Sequence, residues 1–372
     1  MDLQPPNPDS GESSARVENP CHRAAFVDLD VPSLAAALKR GGFNPSHAGS
    51  LMRAFYAGAG EIDFSQSKVG PRIEAWIRRE IPFRRSTVRT RVQSADGTTK
   101  FLVAFPDGGA VETVLMPGYR PDRAAGCVSS QIGCAMGCDF CASTKRGLER
   151  NLDAGEIVEQ FLRLQAHAAG MGRRITSLVF MGMGEPMHNL DNVIGAIRRI
   201  ADSAMGALGW RQITVSTVGV VPGIDRLADA DLNVHLALSL HAPDDETRAR
   251  IVPANRRYTV AEIMSATRRF ADRTGRIPTI EYCLLAGVND SDEHARRLAS
   301  LMDGFRAHVN LIPYNWVGAG LSGVVYRRPA DAQVERFLHL LRSAGVVAHR
   351  RDTRGDDVNA ACGQLRETEF AG

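Results

Sequence analysis

The chain predicts an α/β fold: a parallel sheet curved into a partial (βα)6 barrel, with a small N-terminal helical domain and a β-hairpin extension ahead of it. Three observations carry this expectation. From about residue 124 onward, short apolar runs alternate with amphipathic stretches about six times, and repeated strand–helix units build a parallel sheet with right-handed crossovers. Ahead of that region, Leu34, Leu38, Met52, Phe55, Tyr56, Ile73, Trp76 and Ile77 recur at helical spacing. Between the two lie three strand-like runs separated by tight-turn sequences.

Taken in order, residues 1–22, with Pro5, Pro6, Pro8, Ser10, Ser13 and Ser14, read as a disordered polar tail without a signal pattern. Residues 23–85 read as the helical domain, broken at Gly41-Gly42 and at Gly58 to Gly60. Residues 86–123 hold strands over 87–93, 100–105 and 110–116, joined by Ala95-Asp96-Gly97 and Pro106-Asp107-Gly108-Gly109. The barrel spans 124–355, with strands over 177–181, 212–217, 234–239, 279–285 and 308–313, and a first strand just before residue 130. Helices are expected over 154–169, 190–203, 260–273, 291–302 and 330–344. Residues 356–372 form a C-terminal loop.

Composition narrows the class. With 372 residues, 44% of them hydrophobic, the chain can bury one large core and a smaller module. No apolar run of about eighteen residues occurs, so no membrane span is expected. Seven cysteines, an odd number, suit a reducing cytoplasmic setting better than a disulfide framework. A net charge of +3 does not by itself announce a nucleic-acid partner. The 45 basic residues include only four lysines, Lys39, Lys68, Lys100 and Lys145. That bias reflects a GC-rich genome more readily than phosphate recognition.

Three cysteines, Cys134, Cys138 and Cys141, fall in a Cys-x3-Cys-x2-Cys run with Phe140 before the last. Thiolates are the usual ligands of iron–sulfur clusters, and a [4Fe–4S] cube ordinarily takes four. Three ligands leave one iron open to a substrate. A zinc knuckle is the alternative, but such sites are closed and four-coordinate, and no second Cys pair follows. Polar residues also emerge where apolar strands end: Gly184 and Glu185 in Gly182-Met183-Gly184-Glu185-Pro186, then Ser216, Ser239-Leu240-His241 and Asn315. Active sites of such barrels lie at those strand ends. The two glycines there let backbone approach a ligand. Cys127 and Cys362 stand apart from the triad, Cys362 in a Gly-flanked, charge-rich loop; Cys21 and Cys283 read as ordinary small residues.

The cysteine spacing resembles the radical S-adenosylmethionine (SAM) superfamily. Cys127-Val128-Ser129-Ser130-Gln131, Gly182 to Pro186, and Arg354-Gly355-Asp356-Asp357 running into Ala360-Ala361-Cys362-Gly363-Gln364-Leu365 narrow the likeness to its RlmN/Cfr branch. The resemblance spans about residues 26–366. It implies a radical SAM barrel and methylation of adenine carbon 2 in 23S rRNA and tRNA, with a [4Fe–4S] cluster and SAM as cofactors. It assigns Cys134, Cys138 and Cys141 to the cluster, and Gly184, Glu185, Ser216, Ser239, Leu240, His241 and Asn315 to SAM. Cys362 would be the methyl carrier, Cys127 its resolving partner and Glu112 the proton acceptor. The electron donor would be of the flavodoxin or ferredoxin kind. For the RNA, Arg78, Arg79, Arg84, Arg85, Arg89 and Arg91 offer a phosphate track, a solvated basic face being the plainer reading. The rivals are methylation at carbon 8, a radical enzyme for a small molecule or peptide, and a non-enzymatic iron–sulfur or zinc protein.

Overall fold

The structure is a computed structural model that describes residues 24–366 apart from 68, 204 and 206; the expected tail, with Cys21, lies outside the described residues. The helical module comprises α1 (Val31–Arg40), α2 (Ala48–Ala57) and α3 (Pro71–Glu80). Two of these helices start from a local signal. Asp30 caps α1 by accepting from Ser33 N–H, and Pro71 opens α3, where its missing N–H costs nothing.

The strands β1 (Thr87–Gln93), β2 (Thr99–Ala104), β3 (Ala110–Pro117) and β4 (Arg123–Cys127) form an antiparallel meander. A two-stranded ribbon, β5 (Gln131–Gly133) with β6 (Leu148–Asn151), then brackets the cysteine run. After α4 (Ala154–Gly170) come β7 (Arg174–Phe180), α5 (Leu190–Ile200), β8 (Ile213–Thr217), α6 (Val221–Asp229) and β9 (His235–Ser239). The chain continues through α7 (Asp245–Ile251), α8 (Val260–Thr274), β10 (Thr279–Leu284), α9 (Asp292–Leu301), β11 (His308–Pro313), α10 (Asp331–Ser343) and β12 (Val347–Arg350).

One ten-stranded sheet runs β1-β2-β3-β4-β7-β8-β9-β10-β11-β12. From β4 onward every pairing is parallel, so the six expected strand–helix units are present and β12 adds a seventh parallel strand. The hairpin extension continues the same sheet past β4. The helical module shares its core as well: Phe26, Phe55 and Ile77 belong to one apolar cluster with Ile157, Phe161 and Ile197 of α4 and α5. Arg85 fastens this junction through Asp28 at 2.8 Å and Asp153 at 2.7 Å. A second core packs α8, α9 and α10 on β10 and β11, and a third, around Cys138 and Phe140, lies under the cysteine run. No helix among the described residues is long and apolar enough to cross a membrane.

Candidate active site

Sequence places Cys134, Cys138 and Cys141 on the loop between β5 and β6, and the fold turns that loop over the ends of the parallel strands. All three are free thiols fronting one cavity with an empty volume of about 930 Å³. Gly184 and Glu185 after β7, Ser216 of β8, and Ser239 and His241 at the end of β9 line the same space. Burial pushes the Cys134 thiol up to about 12 and those of Cys138 and Cys141 upward too. Sulfurs so placed favour their thiolate form only beside positive charge, as a cluster of iron ions supplies. Among the described residues no group of three His, Cys, Asp or Glu side chains could hold a single metal ion. The fit therefore rests on the donor set: three soft sulfurs at one rim, with room beyond them, suit an iron–sulfur cluster and a ligand at its open corner.

The loop is braced from outside. Asp139 accepts from Tyr326 O–H at 2.7 Å, from Ser322 N–H at 2.8 Å and from Ser322 O–H at 2.5 Å, tying the 318–326 segment to the cysteines. Phe140 stands edge-on to His241 at 4.9 Å. His241 adopts a left-handed backbone (φ 61°) that turns its ring inward, where Nδ1 accepts from Cys283 N–H at 3.0 Å. Burial, helped by Arg248, holds its imidazole down to about 3, so it is neutral. The Glu185 carboxylate accepts from Met187 N–H at 3.0 Å and Val218 N–H at 2.9 Å. Burial still raises its pKa.

The glycines of this strand end are crowded by the segment that follows β4. A Cβ at Gly184 would lie 2.6 Å from Gln131 Cβ, and one at Gly182 would lie 2.6 Å from Ser129 Oγ. The Val128–Gln131 segment, through both side chain and backbone, leaves no room for a side chain at either position. Two expected SAM contacts also stand outside the cavity lining. Leu240 is fully buried, with its N–H given to Glu281 O and its carbonyl accepting from Arg248. Asn315 instead donates to Cys362 O at 3.2 Å.

Cys362 reaches the cavity from the C-terminal segment, which lies along the hairpin extension. Asp96 accepts from Gly355 N–H at 3.0 Å, Asp357 accepts from Ser94 O–H at 2.5 Å, and Lys100 donates to Asn359 O at 3.0 Å. Beyond Cys362, Ala142 N–H donates to Gly363 O at 2.7 Å, Ser143 O–H to Leu365 O at 2.6 Å, and Arg366 N–H to Glu112 at 2.8 Å. Cys127, at the end of β4, is near enough that, after burial, Cys362 is the next influence pushing its thiol up to about 12; Arg351 opposes both. Glu112 is fully buried and faces Lys100 at 2.9 Å. The cavity thus joins the cluster cysteines and Cys362; Cys127 and Glu112 stand outside its lining, the first within electrostatic reach of Cys362 and the second tied to Arg366, four residues beyond it.

Three further lining residues carry no sequence motif. Cys283 is buried, as expected of an ordinary small residue, yet its β10 position puts it on the cavity wall beside Glu281. Arg351 enters from the end of β12, 3.7 Å from Glu281, and the nearby Cys362 raises its pKa. Its only signal in the sequence is one arginine among many. The six arginines of the expected phosphate track fall into two groups by their surroundings. Arg78 pairs with Glu74, Arg79 with Glu80, and Arg85 is spent on Asp28 and Asp153. Arg84, Arg89 and Arg91, with Arg163 and His167, line a groove between the hairpin extension and α4.

Comparison with known proteins agrees with this geometry. Residues 128–299 match the family model "Radical SAM superfamily". The chain is 53% identical to a probable dual-specificity RNA methyltransferase RlmN 1 of Opitutus terrae, covering 92% of this chain and 97% of that one. It is 43% identical to the probable dual-specificity RNA methyltransferase RlmN of Rhodopirellula baltica, over 92% of this chain and 90% of that one. A crystal structure of a radical SAM methyltransferase from Sphaerobacter thermophilus superimposes with a TM-score of 0.86 at 42% identity, covering 92% of this chain and 99% of the other.

Proposed function

Because the chain belongs to the RlmN family of radical SAM RNA methyltransferases, we propose that it methylates carbon 2 of adenine in 23S rRNA and in tRNA through a methyl carried on Cys362. The observation that carries this reading is the convergence of Cys362, the cluster cysteines and, behind them, Cys127. A radical enzyme acting on a small molecule has no use for Cys362 and Cys127.

Cys134, Cys138 and Cys141 would hold the [4Fe–4S] cluster, and Glu185, Ser216, Ser239 and His241 would line the SAM site. When bound, the cluster and SAM supply the methyl group, the hydrogen-abstracting radical and the one-electron traffic, fed by a flavodoxin or ferredoxin. The residues supply the rest. Carbon 2 of adenine is electron-poor and no nucleophile, so it accepts a methylene radical on the Cys362 sulfur, which links protein to RNA. The adduct would return one electron to the oxidised cluster, the one-electron acceptor the cofactor would supply, and Glu112 takes the carbon 2 proton. The Cys127 sulfur then attacks the Cys362 sulfur. The carbon–sulfur bond breaks with its electron pair on carbon, which takes a proton to become methyl, and a disulfide forms. The Cys127 thiolate and the Cys362 thioether sulfur are oxidised to a disulfide as the methylene carbon is reduced to methyl, and covalent catalysis divides one inaccessible step into several. The adenine must leave its stack to bring carbon 2 to the Cys362 sulfur in this cavity.

The test is anaerobic incubation with rRNA and tRNA fragments and methyl-labelled SAM, followed by nucleoside mass spectrometry. The expected product is 2-methyladenosine, absent with Cys362→Ala and replaced by a protein–RNA adduct with Cys127→Ala. A product of 8-methyladenosine, or equal labelling by Cys362→Ala, would overturn the reading.

A further inference from the structure

In a chain that uses arginine about ten times as often as lysine, one of its four lysines is buried against a carboxylate. Lys100 on β2 and Glu112 on β3 are 1% and 0% exposed, and their charged atoms meet at 2.9 Å. Register explains the meeting. Lys100 pairs with Val114 and Leu102 with Glu112, so the two side chains are diagonal neighbours on one face of the sheet. A buried ion pair of this kind is weak evidence for stability, since well-packed apolar residues would serve a fold as well or better. Its use lies in what else the two groups touch. Lys100 donates to Asn359 O at 3.0 Å, three residues before Cys362, and Glu112 accepts from Arg366 N–H at 2.8 Å, four residues after it. One pair therefore grips both flanks of the loop that carries Cys362.

Accepting the reaction proposed above, we infer that Lys100 is a positioning residue for it, holding Glu112 as an aimed carboxylate while the Cys362 loop is docked. The surroundings of Glu112 supply few alternatives. Its own N–H faces Met183 Sδ at 3.4 Å and its carbonyl accepts from Ser129 O–H at 2.7 Å. Arg366 is the other cation acting on it, and Arg146 and Glu149 flank Arg366 in a separate small cavity. Burial opposes charge on both partners, raising the carboxyl and lowering the ammonium, so each depends on the other to stay ionised. A lysine suits this place because one compact ammonium serves a carboxylate and a carbonyl at once.

The test measures, with the full-length reconstituted enzyme, the protein–RNA adduct on denaturing gels and the methylated RNA released, from pH 6 to 9. Removing the cation raises the carboxyl pKa, so the acidic limb of the release profile should move to higher pH in Lys100→Met. At neutral pH release should slow by about 10- to 100-fold, with adduct accumulating, a loss within the range of general-base catalysis. Lys100→Arg, which keeps the charge, should bring the pH profile back toward wild type. Lys100→Met/Glu112→Gln, an uncharged pair that avoids a stranded ion, should release no more slowly than Glu112→Gln alone. Wild-type release by Lys100→Met with an unshifted profile overturns the inference. So does an equal fall in adduct and product with no accumulation, the mark of a purely structural role. If the wild-type enzyme itself forms neither adduct nor 2-methyladenosine, it is the reaction that fails and not the role of Lys100.

Discussion

Arg248 on α7 is a buried cation bonded to the strand ends that form the cavity wall, and replacing it with methionine tests how the SAM wall is built. Its side chain is fully buried, and burial lowers its pKa to about 10. Its guanidinium donates to Leu240 O at 2.8 Å, Asn255 Oδ1 at 2.8 Å, Ser239 O at 3.3 Å and Val218 O. Three of these acceptors are backbone carbonyls where β8 and β9 end, beside Ser239 and His241. Arg248→Met fills much of the volume but strands buried acceptors at about 1–3 kcal/mol each, while relief from burying a cation returns part of that. We expect a net loss of about 3–5 kcal/mol, read as a fall of roughly 5–10 °C in the apparent unfolding temperature of the apoprotein. The same change should weaken SAM binding to the reconstituted protein by at least about tenfold, since each 1.4 kcal/mol of misaligned wall is a factor of ten. Calorimetric scanning and equilibrium SAM binding measure both. An apparent unfolding temperature within about 1 °C of wild type, with unchanged SAM affinity, would refute the claim that Arg248 organises these strand ends.

Two more outcomes follow from the bracing of the fold. Burial raises the Asp28 carboxyl from 3.8 to about 6 against the pull of Arg85. The folded form thus keeps a proton that the unfolded chain releases, and stability falls as pH rises from about 4 to about 6. Asp28→Asn should flatten that window by about 1–3 kcal/mol, seen as hydrogen exchange across residues 26–81 at pH 5 and pH 7; an unchanged pH dependence would exclude Asp28 as its source. Asp139→Ala removes three acceptor contacts to the 318–326 segment, so aerobic bleaching of the reconstituted cluster should quicken by about two- to fivefold. Bleaching at the wild-type rate would show that this segment does not shield the cysteines.

Much of the molecule is legible from local pattern alone. Strands such as Thr279–Leu284 and helices such as Ala154–Gly170 announce themselves by period and by caps, as in the Asp153–Glu156 pair that opens α4. The cysteine run is legible for the same reason, its chemistry lying within one short loop. Elements that are short or charged escape this reading: α6, α7 (Asp-Glu-Thr-Arg-Ala-Arg-Ile) and β12 show too few apolar positions to declare a period. What stays hidden is whatever depends on distant contacts. Nothing near Arg351 marks it as a cavity residue, and nothing near Lys100 says that Glu112 lies across the strand. Nor does the sequence show that the Val128–Gln131 segment crowds Gly182 and Gly184. The full burial of β2 likewise reflects a covering that includes the segment from Gly355 to Arg366.

The alignment of β3 with its neighbours has one last bearing on how such a protein tolerates change. Val114 stands opposite Cys127 while Glu112 stands opposite Leu102, so a single ladder indexes both the base and the resolving sulfur. Side chains on a strand alternate sides, and adding or deleting one residue within β3 would swing Glu112 outward, away from Lys100 and the carrier loop. Lengthening the turn between β3 and β4 would leave the ladder untouched. Length variation should therefore be harmless in that turn and ruinous a few residues before it.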